Sequence, residues 1–504
     1  MTASATGSTE LHPPRWQPAP MRWHNTPVTW GESWRLALGL PKRVRERTIM
    51  QYLAADLPGQ DDVLVARLPM AKFVIVRSPE LVRQILVTEH QKYVRGAEFD
   101  MLAVVFGQGL VTQRDDRLYH RNKRLVQPIF ARSAIDRFDV PMVEAAQETV
   151  RRLRAAGEPV DVGVEMTRLM LDIVARTMFG TDVDGPISTF KLERLLKLFG
   201  VGVATNVSRP LRALSTWLVR RTEKPERRAG SRLPVHIMRL GSWMMAPHIM
   251  YELRGIEKAV AGIISDHREG RITRKDNLLG LLMAATDPET GHSYTDLEIR
   301  DELMTFIGAG METSATALTW VWKLLDEHPE VRARLYEELD TVLSGRPPTA
   351  ADVDKLVWTK AIFLETMRLH PPIMALSKVA VAEDVLAGYR IKPGTTLMIS
   401  MHGVHGNPRV WDRAKEFDPT RYLPEHMTRP HREASLAFGA GKRICIAQNF
   451  ATMEVVLSIA TIAQQLDLRL ATNEPIRPQL SFIGAPDKPL FMRAVPRDQA
   501  PVAR

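Results

Sequence analysis

The stretch AFGAGKRICIAQNFATMEVVLSIA, residues 437–460, decides how this chain reads. It contains Cys445, the single cysteine in 504 residues, and its character changes there. Before Cys445 come two glycines, Gly439 and Gly441, and two basic residues, Lys442 and Arg443; after it comes a helical, apolar-rich pattern. Glycines permit a tight loop with its amides turned inward, and a helix that starts just beyond a cysteine offers the sulfur a partial positive charge. Both favour thiolate over thiol. A lone cysteine is by default only a small buried hydrophobe, so the rest of the chain must decide whether this one is a ligand.

Around this loop the chain is ordinary globular material, 45% hydrophobic and 25% charged, long enough for one large core. One cysteine excludes an internal disulfide framework. No run of about 18 apolar residues appears, and the first residues are polar and proline-rich, without the grammar of a secretory signal. A soluble, cytoplasmic protein is expected. The formal net charge of +10 asks for an acidic partner. The basic residues are scattered along helical stretches, with no Cys/His zinc spacing and no dense tract, which argues against nucleic acid. An acidic electron-donor protein accounts for the charge more simply.

Residues 1–45 read as an irregular, proline-rich arm, and 46–504 as one mainly helical α+β unit without internal repeats. DVLVARLP and KFVIVRS alternate around Pro69 as a β-hairpin. From about Pro79 to Leu369 helical periodicity dominates. TDLE at 295–298 has capping-box spacing, so a long helix is expected from Asp296 to about Leu325. Strand-like segments resume after His370, in VAVAEDVLAGYRI and GTTLMIS, and a final helix is expected over Ala447–Leu466.

Three further motifs stand in order along this frame. FIGAGMETSATALTW puts Gly308 and Gly310 inside the long helix, where each costs about 1 kcal/mol against alanine. FLETMRLHPP sets Glu365 and Arg368 at i,i+3, where a carboxylate and a guanidinium meet. EFDPTRYLP adds Phe417 and Arg421. Together with Phe438, Gly441, Arg443 and Cys445, these resemble the cytochrome P-450 superfamily, in its soluble bacterial-type form.

The resemblance spans about Gly109 to Ala447 and implies a helical prism with small β-sheets. One haem b would lie between the long helix and the final one. It makes Cys445 the iron ligand, with Phe438 and Gly441 shaping the loop and Arg443 on a propionate. Ala447 departs from the glycine usual there. Ala309 to Thr313 corresponds to the oxygen-activation motif, with Ala309 and Gly310 beside the haem and Glu312 and Thr313 as the catalytic acid and alcohol. Glu365, Arg368 and Arg421 become a structural triad. In GLVTQRDDRLYHRNKRLVQPIF, His120 and Arg124 become propionate partners, as does Lys378 of SKVAVAED, where arginine is more usual.

The reaction implied is insertion of one atom of dioxygen into a hydrophobic substrate such as a fatty acid, sterol or terpenoid. Electrons would come from a ferredoxin or flavodoxin-type donor and its reductase, with NAD(P)H acting only indirectly. Arg117, His120, Arg121, Lys123, Arg124 and Lys442 would form the basic docking surface, and the protein would work as a monomer. Pocket candidates carried over by position are Phe99, Met101, Val105, Phe106, Met304, Ile307, Ile373, Met374, Leu376, Phe482 and Ile483. The stretch 186–254 would roof the channel, with Trp243, Met244 and Met245 as a lid and a basic flank suited to peripheral contact with an anionic lipid surface. A haem-thiolate sensor, a peroxide-driven hydroxylase and a haem isomerase are the alternatives; the paired Glu312 and Thr313 argue against them.

Overall fold

The computed structural model describes residues 62–68, 71–96, 98–114, 116–180, 232–245, 247–271, 276–479 and 483–497. The N-terminal arm, Phe482 and most of the 186–254 stretch lie outside these, as do the side chains of Met101, Met244 and Met245.

Among the described residues the ten longer helices are α1 (Glu98–Phe106), α2 (Asp116–Val126), α3 (Asp139–Ala155), α4 (Val162–Val174), α5 (Leu233–Met245), α6 (Pro247–Arg268), α7 (Asp296–Glu327), α8 (Pro329–Leu343), α9 (Val357–Leu369) and α10 (Gln448–Ala463). Helix α7 is the axis. Its 32 residues span about 48 Å at 1.5 Å per residue. It begins where TDLE predicts: the Thr295 side chain accepts from the Glu298 amide, and the Glu298 carboxylate accepts from the Thr295 amide. Helices α4, α6, α9 and α1 all pack on it, α4 most extensively, so α7 is apolar on nearly every side rather than along one stripe.

The hairpin forms as expected, β1 (Val63–Leu68) against β2 (Ala71–Val76), with Val63 opposite Val76. These strands belong to a five-stranded sheet with β3 (Tyr93–Arg95), β5 (Ala375–Ala380) and β8 (Thr396–Ser400), in the order β1-β2-β8-β5-β3. Strands β2 and β8 run parallel although more than three hundred residues separate them. A second sheet joins β4 (Val160–Asp161), β10 (Phe491–Pro496) and β9 (Leu466–Leu470), and β6 (Asp384–Leu386) pairs with β7 (Tyr389–Ile391). The last helix is shorter than its sequence pattern suggests: it stops at Ala463 because Leu466 enters β9 and pairs with Pro496 of β10. Mainly α with small separate sheets is the architecture observed.

Glu365 and Arg368 of α9 are both fully buried and meet through two bonds of 2.7 Å, Nε to Oε2 and Nη2 to Oε1. Arg368 also donates to the carbonyls of His405, Ala414 and Glu416. Arg421 stands 3.4 Å from Glu365 Oε1 and donates to Arg413 O, and the Asp418 amide donates to Glu365. All three residues of the expected triad thus converge, and they pin the irregular segment 405–421 against α9.

Candidate active site

Between Asp301 and Trp322 the burial of α7 is broken at one place. Ala309 is exposed and Gly310, Glu312 and Thr313 are half-buried, while every other residue in that interval is buried. A Cβ at Gly310 would meet only a methyl group of Val174, at 4.0 Å. The Thr313 hydroxyl donates to Ala309 O at 2.7 Å. One helical turn therefore opens onto free space from inside an otherwise packed core.

Cys445 also has open surface. Its loop is built for close approach. Gly441 has φ +73°, and a Cβ there would fall 2.0 Å from Leu86 O, so no other residue fits. The Cys445 amide donates to Phe438 O at 2.9 Å, and Phe438 packs edge-on against Phe363 of α9. Ala447 takes the position where the resemblance leads one to expect glycine. Its φ is −92°, a conformation alanine adopts without strain, and its N–H supports the Cys445 sulfur. Although the residue keeps open surface, the groups crowded around its sulfur desolvate it and push the thiol up; the Ala447 amide opposes this, and a charge on Glu454 would add to it.

Basic groups from four elements gather at this loop. Tyr119 of α2 donates to Lys442 O at 3.1 Å, Lys123 donates to the same carbonyl at 2.9 Å, and the Arg443 guanidinium lies 3.7 Å from the Tyr119 ring centroid. Arg443 donates to Gln113 O and pairs with Asp116. Arg95 of β3 adds a charge felt at Tyr119 and is the direct cross-strand partner of Lys378 on β5. His120 is held below its usual value by burial, with Lys442, Arg443 and Lys123 adding to the effect. Arg124 faces elsewhere, making a two-pronged pair with the buried Asp287 at 2.7 and 3.0 Å. The face of α2 that meets the cysteine loop is thus the one bearing Tyr119 and Lys123.

A thiol, a converging set of cations and an open helix turn fit an iron porphyrin with two carboxylates. Arg95 joins that set and Tyr119 braces it, neither having been singled out in the sequence. Arg95 could have been flagged only by knowing that β3 pairs with β5.

Of the pocket candidates, Ile373, Leu376 and Ile483 are half-buried, and Ile373 and Ile483 bridge one another. Phe99, Val105, Phe106, Met304, Ile307 and Met374 are buried in packed surroundings. Met374 lies under Gly484, where a Cβ would come 2.6 Å from its sulfur, and the Phe106 ring abuts Gly308. Trp243 of α5 is covered by the Arg254 guanidinium, 4.4 Å from its ring centroid.

The family model described as Cytochrome P450 matches residues 48–493. Among curated proteins the chain is 31% identical over 442 residues to cyclooctatin synthase of Streptomyces melanosporofaciens, covering 87% of this chain and 90% of that one. It is 32% identical to pentalenene oxygenase of Streptomyces avermitilis, covering 85% and 88%. It is 30% identical to cyclooctat-9-en-7-ol 5-monooxygenase, also of Streptomyces melanosporofaciens, covering 84% and 86%. A match over most of the chain, on a fold of this kind and with this thiol loop, means that the protein belongs to the cytochrome P450 family of haem-thiolate monooxygenases.

Proposed function

We propose that this enzyme oxygenates a hydrophobic terpenoid, with Cys445 as iron ligand and electrons delivered by a separate ferredoxin or flavodoxin-type protein. The carrying observation is the open turn Ala309–Thr313 in the buried body of α7, set in a chain whose thiol loop is also open. Terpenoid substrates are supported by the names of relatives that act on pentalenene and in cyclooctatin formation.

When bound, a thiolate-ligated haem supplies dioxygen activation. The chain's own residues do the rest. Ala447 N–H and the start of α10 support negative charge on Cys445. Arg443, Lys123, His120, Arg95 and Lys378 are assigned to the haem carboxylates; Arg124, being bound to Asp287, reaches them only by releasing it. Thr313 holds a proton on Oγ1 that now rests on Ala309 O, and Glu312 is its acidic neighbour, which suits the two to proton delivery.

For the donor, Arg121 is engaged with Glu298 and Arg124 with Asp287, while Lys442 of the cysteine loop is exposed. An acidic partner is drawn to this basic face by a salt-sensitive field, NAD(P)H acting through the partner's reductase. Among the described residues no helix is long and apolar enough to cross a membrane, and a cytoplasmic monomer of residues 46–504 is our reading.

The test is a spectral titration of the haem-loaded enzyme with pentalenene, a fatty acid, a sterol and an aromatic ether. The reading expects pentalenene to displace the iron's water ligand and blue-shift the Soret band more strongly than the others. A response to the fatty acid alone would overturn the terpenoid assignment. Lys442→Glu should slow reduction by an acidic ferredoxin at low salt about tenfold, and an unchanged rate would remove the docking surface.

A further inference from the structure

Trp320 stands on α7 seven residues past Thr313. Seven residues are almost two turns, so both side chains lie on one face of the helix, about 10 Å apart along its axis. The face that opens at Ala309–Thr313 is therefore closed again at Trp320, which is fully buried. Two chain segments do the closing. The Trp320 indole N–H donates to Gly484 O at 2.8 Å, and the indole stacks on His370, with ring centroids 3.9 Å apart and planes 6° from parallel.

These contacts join the tail loop around Gly484 to the segment that follows α9. The Gly484 amide donates to Pro372 O at 2.9 Å, and Ile373 and Ile483 bridge one another. A Cβ at Gly484 would fall 2.6 Å from the Met374 sulfur and 2.8 Å from Pro371 O, so nothing larger than a hydrogen fits there. Met374 O in turn accepts from the Met401 amide, just past the end of β8. Within this unit Ile373, Leu376 and Ile483 are half-buried and keep some apolar surface open, while Trp320, Met374 and Gly484, which tie it together, are buried. An apolar wall locked from behind by hydrogen bonds thus stands on the face of α7 that carries Thr313.

We propose that Trp320 is a positioning residue for the oxygenation: without touching the substrate, it holds Ile373 and Ile483 as one rigid wall beyond Thr313, and so fixes which carbon of a hydrophobic substrate is presented for reaction. A hydrocarbon offers no hydrogen bond by which to be turned, so only a wall of fixed shape can choose among its C–H bonds. Small errors in that placement cost orientation directly. The proposal rests on the terpenoid-oxygenase reading.

The experiment compares haem-loaded wild type with Trp320→Phe, Gly484→Ala and Trp322→Phe. Trp320→Phe keeps an aromatic ring beside His370 and removes the donor to Gly484 O; Gly484→Ala pushes the two segments apart without touching Trp320. Trp322 is the matched control. It is also buried, and its indole N–H donates to the Met166 sulfur at 3.2 Å, but nine residues from Thr313 it lies on the opposite face of α7. Two readouts are taken: the ratio of oxygenation products from pentalenene, and the affinities for imidazole and 4-phenylimidazole. Both azoles ligate haem iron, and only the second carries an apolar ring beyond the ligating one. Trp320→Phe and Gly484→Ala should each change the product ratio and weaken 4-phenylimidazole about fivefold, the worth of one hydrogen bond, with imidazole affinity changed less than about twofold. Trp322→Phe should lower the melting temperature yet leave both readouts as in wild type. An unchanged product ratio and azole preference in Trp320→Phe, or the same changes in Trp322→Phe, overturn the proposal. If Trp320→Phe does not hold haem, Gly484→Ala decides by the same criteria. A wild type that fails to oxygenate pentalenene defeats the terpenoid reading instead, and the azole comparison alone then decides whether Trp320 sets the wall.

Discussion

Replacing Arg368 by lysine keeps the charge and removes the fork. In the native protein Arg368 makes five hydrogen bonds, two to Glu365 and one each to the carbonyls of His405, Ala414 and Glu416, all between 2.7 and 3.1 Å. An ammonium has three donors at a single point, so at least two of these acceptors lose their partner around a side chain that is itself fully buried. Each buried acceptor left unpaired costs about 1–3 kcal/mol, which puts Arg368→Lys at about 2–6 kcal/mol. That is a large share of the roughly 5–15 kcal/mol that holds a typical domain. The control is Arg429→Ala, which removes an exposed i,i+4 pair with Glu433 and should cost less than about 1 kcal/mol. Urea unfolding followed by circular dichroism, with haem retention read in parallel, measures both. If Arg368→Lys unfolds within about 1 kcal/mol of wild type, the triad does not hold the 405–421 segment as described.

Two further outcomes follow from packing and burial. Gly308→Ala would by helix preference alone stabilise the protein by about 1 kcal/mol, but its Cβ would lie 2.3 Å from a Phe106 ring carbon. Overpacking of about 1–3 kcal/mol should win, and a raised melting temperature would contradict the contact. Burial pushes Glu302 up from 4.5 to about 7 despite bonds from Leu110 N–H, Asn122 and Tyr294. The folded chain therefore keeps a proton that the unfolded chain has lost. The associated stability is present below about pH 4.5 and is lost as pH rises towards 7, about 3 kcal/mol in all at 1.36 kcal/mol per unit. Melting temperatures between pH 4.5 and 8 should fall less for Glu302→Gln than for wild type; parallel curves would refute this.

The parts of the fold legible in the sequence are those set by local chemistry. Thr295 and Glu298 announce the start of α7 three residues apart, and the Val63–Val76 hairpin is an alternation of neighbouring residues. What the sequence hides is long-range. Helical spacing on α2 groups residues by face but cannot say which face meets a loop three hundred residues later. So His120 and Arg124 stand out on paper, whereas Tyr119 and Lys123 touch the cysteine loop and Arg124 turns to Asp287. Glu454 carries no mark in the sequence, and its burial appears only once α7 and four other elements close around it. Several apolar pocket candidates sit in solid packing because an apolar residue carries no mark that separates wall from core.

The central claim is that Cys445 supplies a thiolate to haem iron. The reduced, carbon monoxide-bound spectrum of the purified enzyme tests it most directly. The account predicts the red-shifted Soret band of a thiolate-ligated haem in wild type and its loss in Cys445→Ser. A wild type lacking that band, or a Cys445→Ser variant retaining it, would contradict the claim.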